Sequence, residues 1–164
     1  MDLRRFVTAG VILGLGLGGF FDGIVLHQVL QWHHMLTATS PPTSVGSLEL
    51  NTLWDGLFHV ATYAFTIAGV LLLWRAARAS DALPPTRTLV GALLMGWGIF
   101  NLVEGIVNYH LLGIHHVLDS LPPGLARLAL DLAFLALGAA FVLFGRRLIR
   151  ESEGSVSARP SRVR

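Results

Sequence analysis

Two stretches of the chain carry the same reactive side chains at the same spacing. Residues 20–36 read FFDGIVLHQVLQWHHML, and residues 102–118 read LVEGIVNYHLLGIHHVL. At a constant offset of 82 positions Asp22 matches Glu104, Gly-Ile-Val recurs, and His33-His34 match His115-His116. Further along, Asp55 and His59 stand four apart, which puts both on one helix face, and so do Arg127 and Asp131. Imidazole and carboxylate together make a hard N/O donor set that suits Zn, Fe, Mn or Cu(II) and disfavours Cu(I). The candidate metal ligands are therefore Asp22, His33, His34, Asp55, His59, Glu104, His115, His116 and Asp131. His27 and His110 are the candidate proton carriers, since histidine titrates near neutral pH. Cysteine is absent, which removes disulfides, thiolate metal sites and cysteine nucleophiles together.

The elements that must position these groups are membrane helices. The chain has 164 residues, 53% hydrophobic and only 13% charged, about half the charge of an ordinary soluble domain. Apolar windows run over about 6–31, 52–74, 88–112 and 124–145, each past the ~18-residue threshold for a span. Pro41-Pro42, the stretch from Asp81 to Pro85, and Pro122-Pro123-Gly124 break the chain between them. All twelve basic residues are arginine. Arg4 and Arg5 precede the first window, Arg75, Arg78 and Arg87 flank the middle loop, and six more follow the fourth window. The other two loops have none, so the positive-inside rule puts both termini and the middle loop in the cytoplasm. Because the basic residues are spent on topology, the composition gives no reason to expect nucleic acid as a partner. The first window is too polar near its end, with Asp22 and His27, to read as a cleaved signal peptide.

These features predict an all-α integral membrane four-helix bundle built from a duplicated two-helix half, with both termini cytoplasmic. The bundle would occupy residues 1–150, followed by a disordered cytoplasmic tail over 151–164. Its halves enter the membrane in the same sense, so their pseudo-twofold lies along the membrane normal. Counting 1.5 Å per residue along straight helices puts Asp22, His59, Glu104 and Asp131 at one depth. His27, Asp55, His110 and Arg127 then form a shallower layer, and the two His-His pairs sit at the extracytoplasmic rim. Carboxylates within a membrane cost several kcal/mol unless neutral, paired or metal-bound. A metal ion or a metal pair removes that cost. Simpler roles exist for some of them: Asp131 and Arg127 as an ion pair, His27 as a hydrogen-bonded core residue, and the His pairs as interfacial residues.

The strings DGIVLHQVLQWHH, WDGLFH and FNLVEGIVNYHLLGIHH, with the Asp-Leu-Ala-Phe-Leu around Asp131, resemble the DUF2243 family of predicted bacterial membrane proteins. The resemblance covers nearly the whole chain except the tail. It implies a multi-pass protein of the bacterial inner membrane whose defining positions are the acids and histidines named above, and it implies no established activity. It also implies a neighbourhood of assembly factors for haem–copper oxidases, and so respiratory assembly proteins as partners besides the lipid bilayer and a metal ion.

The leading expectation is a membrane metalloenzyme, an oxidase or a hydrolase, with a His/Asp/Glu site for one or two ions near the extracytoplasmic side. A copper- or zinc-handling factor for respiratory enzymes is the first alternative. A haem protein with axial histidines and a metal-free proton pathway are the others; haem leaves the carboxylates without a role, and the pathway leaves the rim histidines without one.

Overall fold

The computed structural model describes residues 2–80 and 82–157; Asp81 of the middle break and tail residues 158–164 lie outside the described residues. Helix α1 (Leu3–Phe21) runs without interruption into a wider π-helical segment, π1 (Asp22–Val29). After a loop come α2 (Val45–Arg78), α3 (Thr86–Glu104) continuing into π2 (Gly105–Leu111), and finally α4 (Leu125–Ser157). No strand occurs among the described residues. The starts are set locally. The Asp2 carboxylate accepts from the Arg4 and Arg5 backbone N–H groups, and Ser44 and Ser47 form a reciprocal capping box on α2. Pro85 precedes α3.

The four helices long and apolar enough to cross a membrane span Leu3–Val29, Val45–Arg78, Thr86–Leu111 and Leu125–Ser152. At 1.5 Å per residue the shortest covers about 39 Å, more than the ~30 Å hydrocarbon layer. The interior is inverted relative to a water-soluble protein. The largest fully buried side chains include His27, His33, His115, Asn51, Asp22, Asp55 and Asp131, whereas Leu53, Val60, Leu71, Leu132 and Leu143 lie exposed. Lipid accepts those apolar side chains, and the polar ones must satisfy one another inside.

The helices are arranged as a row rather than the bundle expected from the sequence. α1 packs on α3 at the centre, α2 covers the other side of α1, and α4 covers the other side of α3. Among the described residues no Cα of α2 comes within 8 Å of one in α3 or α4. Accordingly 50% and 39% of the central spans are buried inside the protein, against 11% and 17% of the flanking ones. Small residues dictate this order. A Cβ on Gly14 would strike the Leu93 carbonyl oxygen, and one on Gly96 would strike the Val11 carbonyl oxygen. Close backbone approach of this kind is the usual basis of helix association in lipid. Gly69 of α2 rests on Leu13 of α1, and Gly145 of α4 rests on Gly91 and Met95 of α3.

The helix also outlasts its expected end. Residues 151–157 of the predicted disordered tail continue α4. Arg147 Nε donates to Glu151 Oε1 at 2.7 Å one turn on, and Ser152 shares a hydrogen bond of 2.7 Å with Thr88 of α3. Arg159, Arg162 and Arg164, which enter the topology argument, lie outside the described residues.

Candidate metal centre

At the end of the row that carries the α1–α2 and α3–α4 loops, the two central helices change their winding. Backbone bonds widen to i→i−5: Leu30 N–H donates to Val25 O and Leu112 N–H to Val107 O, both at 2.8 Å. In an α-helix, residues five apart diverge by about 140°; the wider π turn brings them toward one face. Asp22 and His27 are such a pair, and so are Glu104 and Tyr109. π turns of this kind recur at functional sites.

The chain then reverses. Gln31 and Gly113 take left-handed φ values of 51° and 60°. Bonds from Trp32 N–H to Leu26 O (2.9 Å) and from Ile114 N–H to Asn108 O (3.0 Å) close the two ends. The reversal folds His33 and His115 back beneath the loops. The loops lock across the two halves as well, with Ala38 N–H donating to Ile114 O and Asp119 N–H to Trp32 O, each at 3.0 Å.

The result is a buried group of Asp22, His27, His33 and Glu104 whose donor atoms all lie within 4.8 Å of one another, each residue no more than 4% exposed. His27 Nδ1 donates to Asp55 Oδ1 at 2.9 Å, and His33 Nδ1 donates to the Val117 carbonyl at 2.9 Å. A carbonyl only accepts, so the proton of neutral His33 sits on Nδ1 and its Nε2 presents a lone pair. Asp55 orders His27 in the same way. Both Nε2 atoms point at the Asp22 carboxylate: His27 Nε2 is 3.0 Å from Oδ2 and His33 Nε2 is 3.9 Å from Oδ1. Neither contact has hydrogen-bond alignment, and the Asp22 and Glu104 oxygens accept no hydrogen bond among the described residues. His27 stands between the Asp22 and Asp55 carboxylates, and the lone pair of neutral His33 adds a nitrogen donor to the same dry site. These four residues could hold a metal ion.

Supporting contacts surround the group. Asp55 also accepts from His34 Nδ1 at 2.7 Å and from the Met35 backbone N–H at 2.9 Å. Asp131 does the same in the other half, accepting from His116 Nδ1 at 2.8 Å and the Val117 N–H at 3.2 Å. A carboxylate behind an imidazole fixes its tautomer and raises its basicity. Asp55→Asn is therefore expected to lower metal affinity about 10–100-fold without loss of the fold, measurable by competition with a chelator. His115 completes the group from the second half. Its ring stacks on His33 at 4.5 Å and 15°, and its Nε2 lies 3.5 Å from Glu104 Oε1. Burial, and after it the neighbouring His33, push the His115 imidazole well below its ordinary value of 6.5. It is neutral near pH 7, with a bare nitrogen to offer.

The sequence-derived layers are thus partly reshuffled. Asp22 and Glu104 share a level as expected, but Asp131 stands behind the group with His116, and Asp55 with His34. His27, His33 and His115 take the inner places. His59 does not join them; its Nε2 fills the space a Cβ on Gly23 would need, and its ring stacks on Phe20 at 6.3 Å. His110 is exposed, one residue past Tyr109 on the outward side of π2. Arg127 gives its guanidinium to the carbonyls of Asp119 and Leu121, not to Asp131. His59→Ala and His110→Ala are expected to retain the wild-type metal content; loss of metal in either would move the site.

Tyr109 was not among the candidates. It is 2% exposed, its hydroxyl has no hydrogen-bond partner among the described residues, and its ring meets His115 edge-on at 5.2 Å. The offset of 82 that pairs Asp22 with Glu104 also pairs His27 with Tyr109, and that column of the repeat was the available signal.

Membrane-length helices enclosing a buried imidazole–carboxylate group that could hold a metal ion define the class: a helical membrane protein with a candidate metal centre. Within it, the chain belongs to the family described as predicted membrane protein, DUF2243, whose model matches residues 9–152. No curated protein and no solved structure matches it.

Proposed function

We propose that the chain is an inner-membrane metalloprotein that binds a transition metal through Asp22, His27, His33 and Glu104 and carries out redox or hydrolytic chemistry there. The observation that carries this reading is the convergence of the Asp22, His27, His33 and Glu104 donor atoms within 4.8 Å of one another in a buried site, with carboxylate oxygens that accept no hydrogen bond among the described residues. Zn, Fe, Mn and Cu(II) all accept such ligands. Burial beneath two interlocked loops restricts the reactants to small molecules, of the size of water or dioxygen.

The arginine distribution supports cytoplasmic termini, which puts the site at the extracytoplasmic side. The chain reads as a duplicated two-helix half. Equivalent residues carry equivalent contacts: Gly14 lies against Gly96, Met35 and Val117 both donate to an aspartate, and Gln31 and Gly113 share the left-handed turn. A role in assembling respiratory oxidases rests on the family resemblance alone and ranks second.

Metal analysis of detergent-purified protein tests the reading. Cells supplied with Zn, Fe, Mn and Cu should yield protein that keeps at least one ion per chain through dialysis. Glu104→Gln should abolish this retention. Protein without metal after growth in every supplement would end the proposal.

A further inference from the structure

The unsatisfied atoms of the centre fall into two sets, and the sets are related residue by residue. Asp22, His27 and His33 make up the first; Glu104, Tyr109 and His115 stand at the same offset in the second. Every one of these six side chains is buried, and every one has an oxygen or nitrogen without a hydrogen-bond partner among the described residues. The single four-residue group uses Glu104 from the second set and leaves both His115 nitrogens and the Tyr109 hydroxyl idle. Those are the donors of a second place. The His33 and His115 rings stack on each other with centroids 4.5 Å apart, and Glu104 Oε1 is 3.5 Å from His115 Nε2.

We infer that the centre takes two metal ions, one held by Asp22, His27 and His33, the other by Glu104, His115 and the phenol oxygen of Tyr109. The inference rests on the metal-binding reading above and deepens it. Glu104 offers oxygen both to the Asp22, His27 and His33 group, within 4.8 Å, and to His115, at 3.5 Å, as a carboxylate shared between two ions in a two-metal site would. The ions are inequivalent. The first has two imidazoles; the second has one imidazole and a phenol, a harder set that favours a more highly charged ion. Binding at the second place releases the phenolic proton to solvent, so its affinity rises with pH.

Full-length protein in detergent, stripped and reloaded with Mn(II), tests this by stoichiometry and electron paramagnetic resonance. Two ions per chain with an exchange-coupled spectrum are expected for the wild type. His115→Ala and Tyr109→Phe should each leave one ion and an uncoupled spectrum, Tyr109→Phe by weakening the second ion more than about tenfold. His27→Ala should remove the other ion. Tyr109→Phe keeps the ring packing, so it answers the question even if His115→Ala fails to fold. One uncoupled ion in the wild type, or two coupled ions in both variants, would overturn the second place and leave the first standing. No Mn(II) in the wild type, under conditions where the other metals also fail to bind, would remove both.

Discussion

Asp22→Asn is expected to abolish metal binding and, at the same time, to raise the melting temperature of the metal-free protein. The two effects have one cause. Asp22 and Glu104 lie close together in a dry site with no hydrogen bond to their oxygens among the described residues, a state that costs free energy until a cation arrives. Asparagine removes the charge while keeping the shape, so the metal-free fold gains. It also removes an anionic ligand, and its effect should exceed the 10–100-fold that loss of an outer partner such as Asp55 costs. A thermal-shift series separates the two. Metal at 100 times the dissociation constant adds about 2.7 kcal/mol to a protein that binds it, so the wild type should rise steeply with metal and the variant should start higher and stay flat. A variant that melts lower than wild type without metal would show that the Asp22 charge is already paired in the fold.

Gly14→Ala and Gly96→Ala should each destabilise the protein by about 1–3 kcal/mol, the usual cost of overpacking, and should weaken metal binding as well. At both positions the obstacle is a carbonyl oxygen of the facing helix, which cannot rotate away as a side-chain tip does. α1 and α3 must separate, and they carry Asp22 and Glu104 on their far ends. An interhelical shift far from the site thereby becomes a change in ligand spacing. Gly46 and Gly56 supply the control, because a Cβ there meets nothing within 4 Å. Gly56→Ala in the middle of α2 is expected to be neutral or mildly stabilising. Equal loss of metal in Gly56→Ala would mean the effect does not run through the α1–α3 crossing.

The sequence makes the membrane helices readable because length and apolarity alone determine them. The repeated acid and His pair likewise single out Asp22, Glu104, His33 and His115. What it hides is how the chain leaves the membrane. Depth counted along a straight helix sends His33 and His115 to the rim, whereas left-handed turns at Gln31 and Gly113 fold them back inside. The same counting sends His27 to a shallower layer than Asp22; the π turn, invisible to a 3.6-residue periodicity, brings the two together. His59 looks like a ligand by its spacing from Asp55, but α2 turns that residue toward the Gly23 notch instead. The helix order was also not legible. Four apolar windows predict a bundle equally well as a row; the glycines of α1 and α3 meeting each other's backbone, with Gly69 of α2 on α1 and Gly145 of α4 on α3, decide for the row.

The central claim is that imidazole nitrogen and carboxylate oxygen from the two central helices hold a transition metal in the buried site. X-ray absorption at the edge of the metal that co-purifies tests it most directly. The spectrum should show a first shell of N and O near 2.0–2.2 Å with the outer-shell scattering of about two imidazoles, reduced to one in His27→Ala. A first shell of oxygen alone without imidazole scattering, unchanged in His27→Ala, would contradict it.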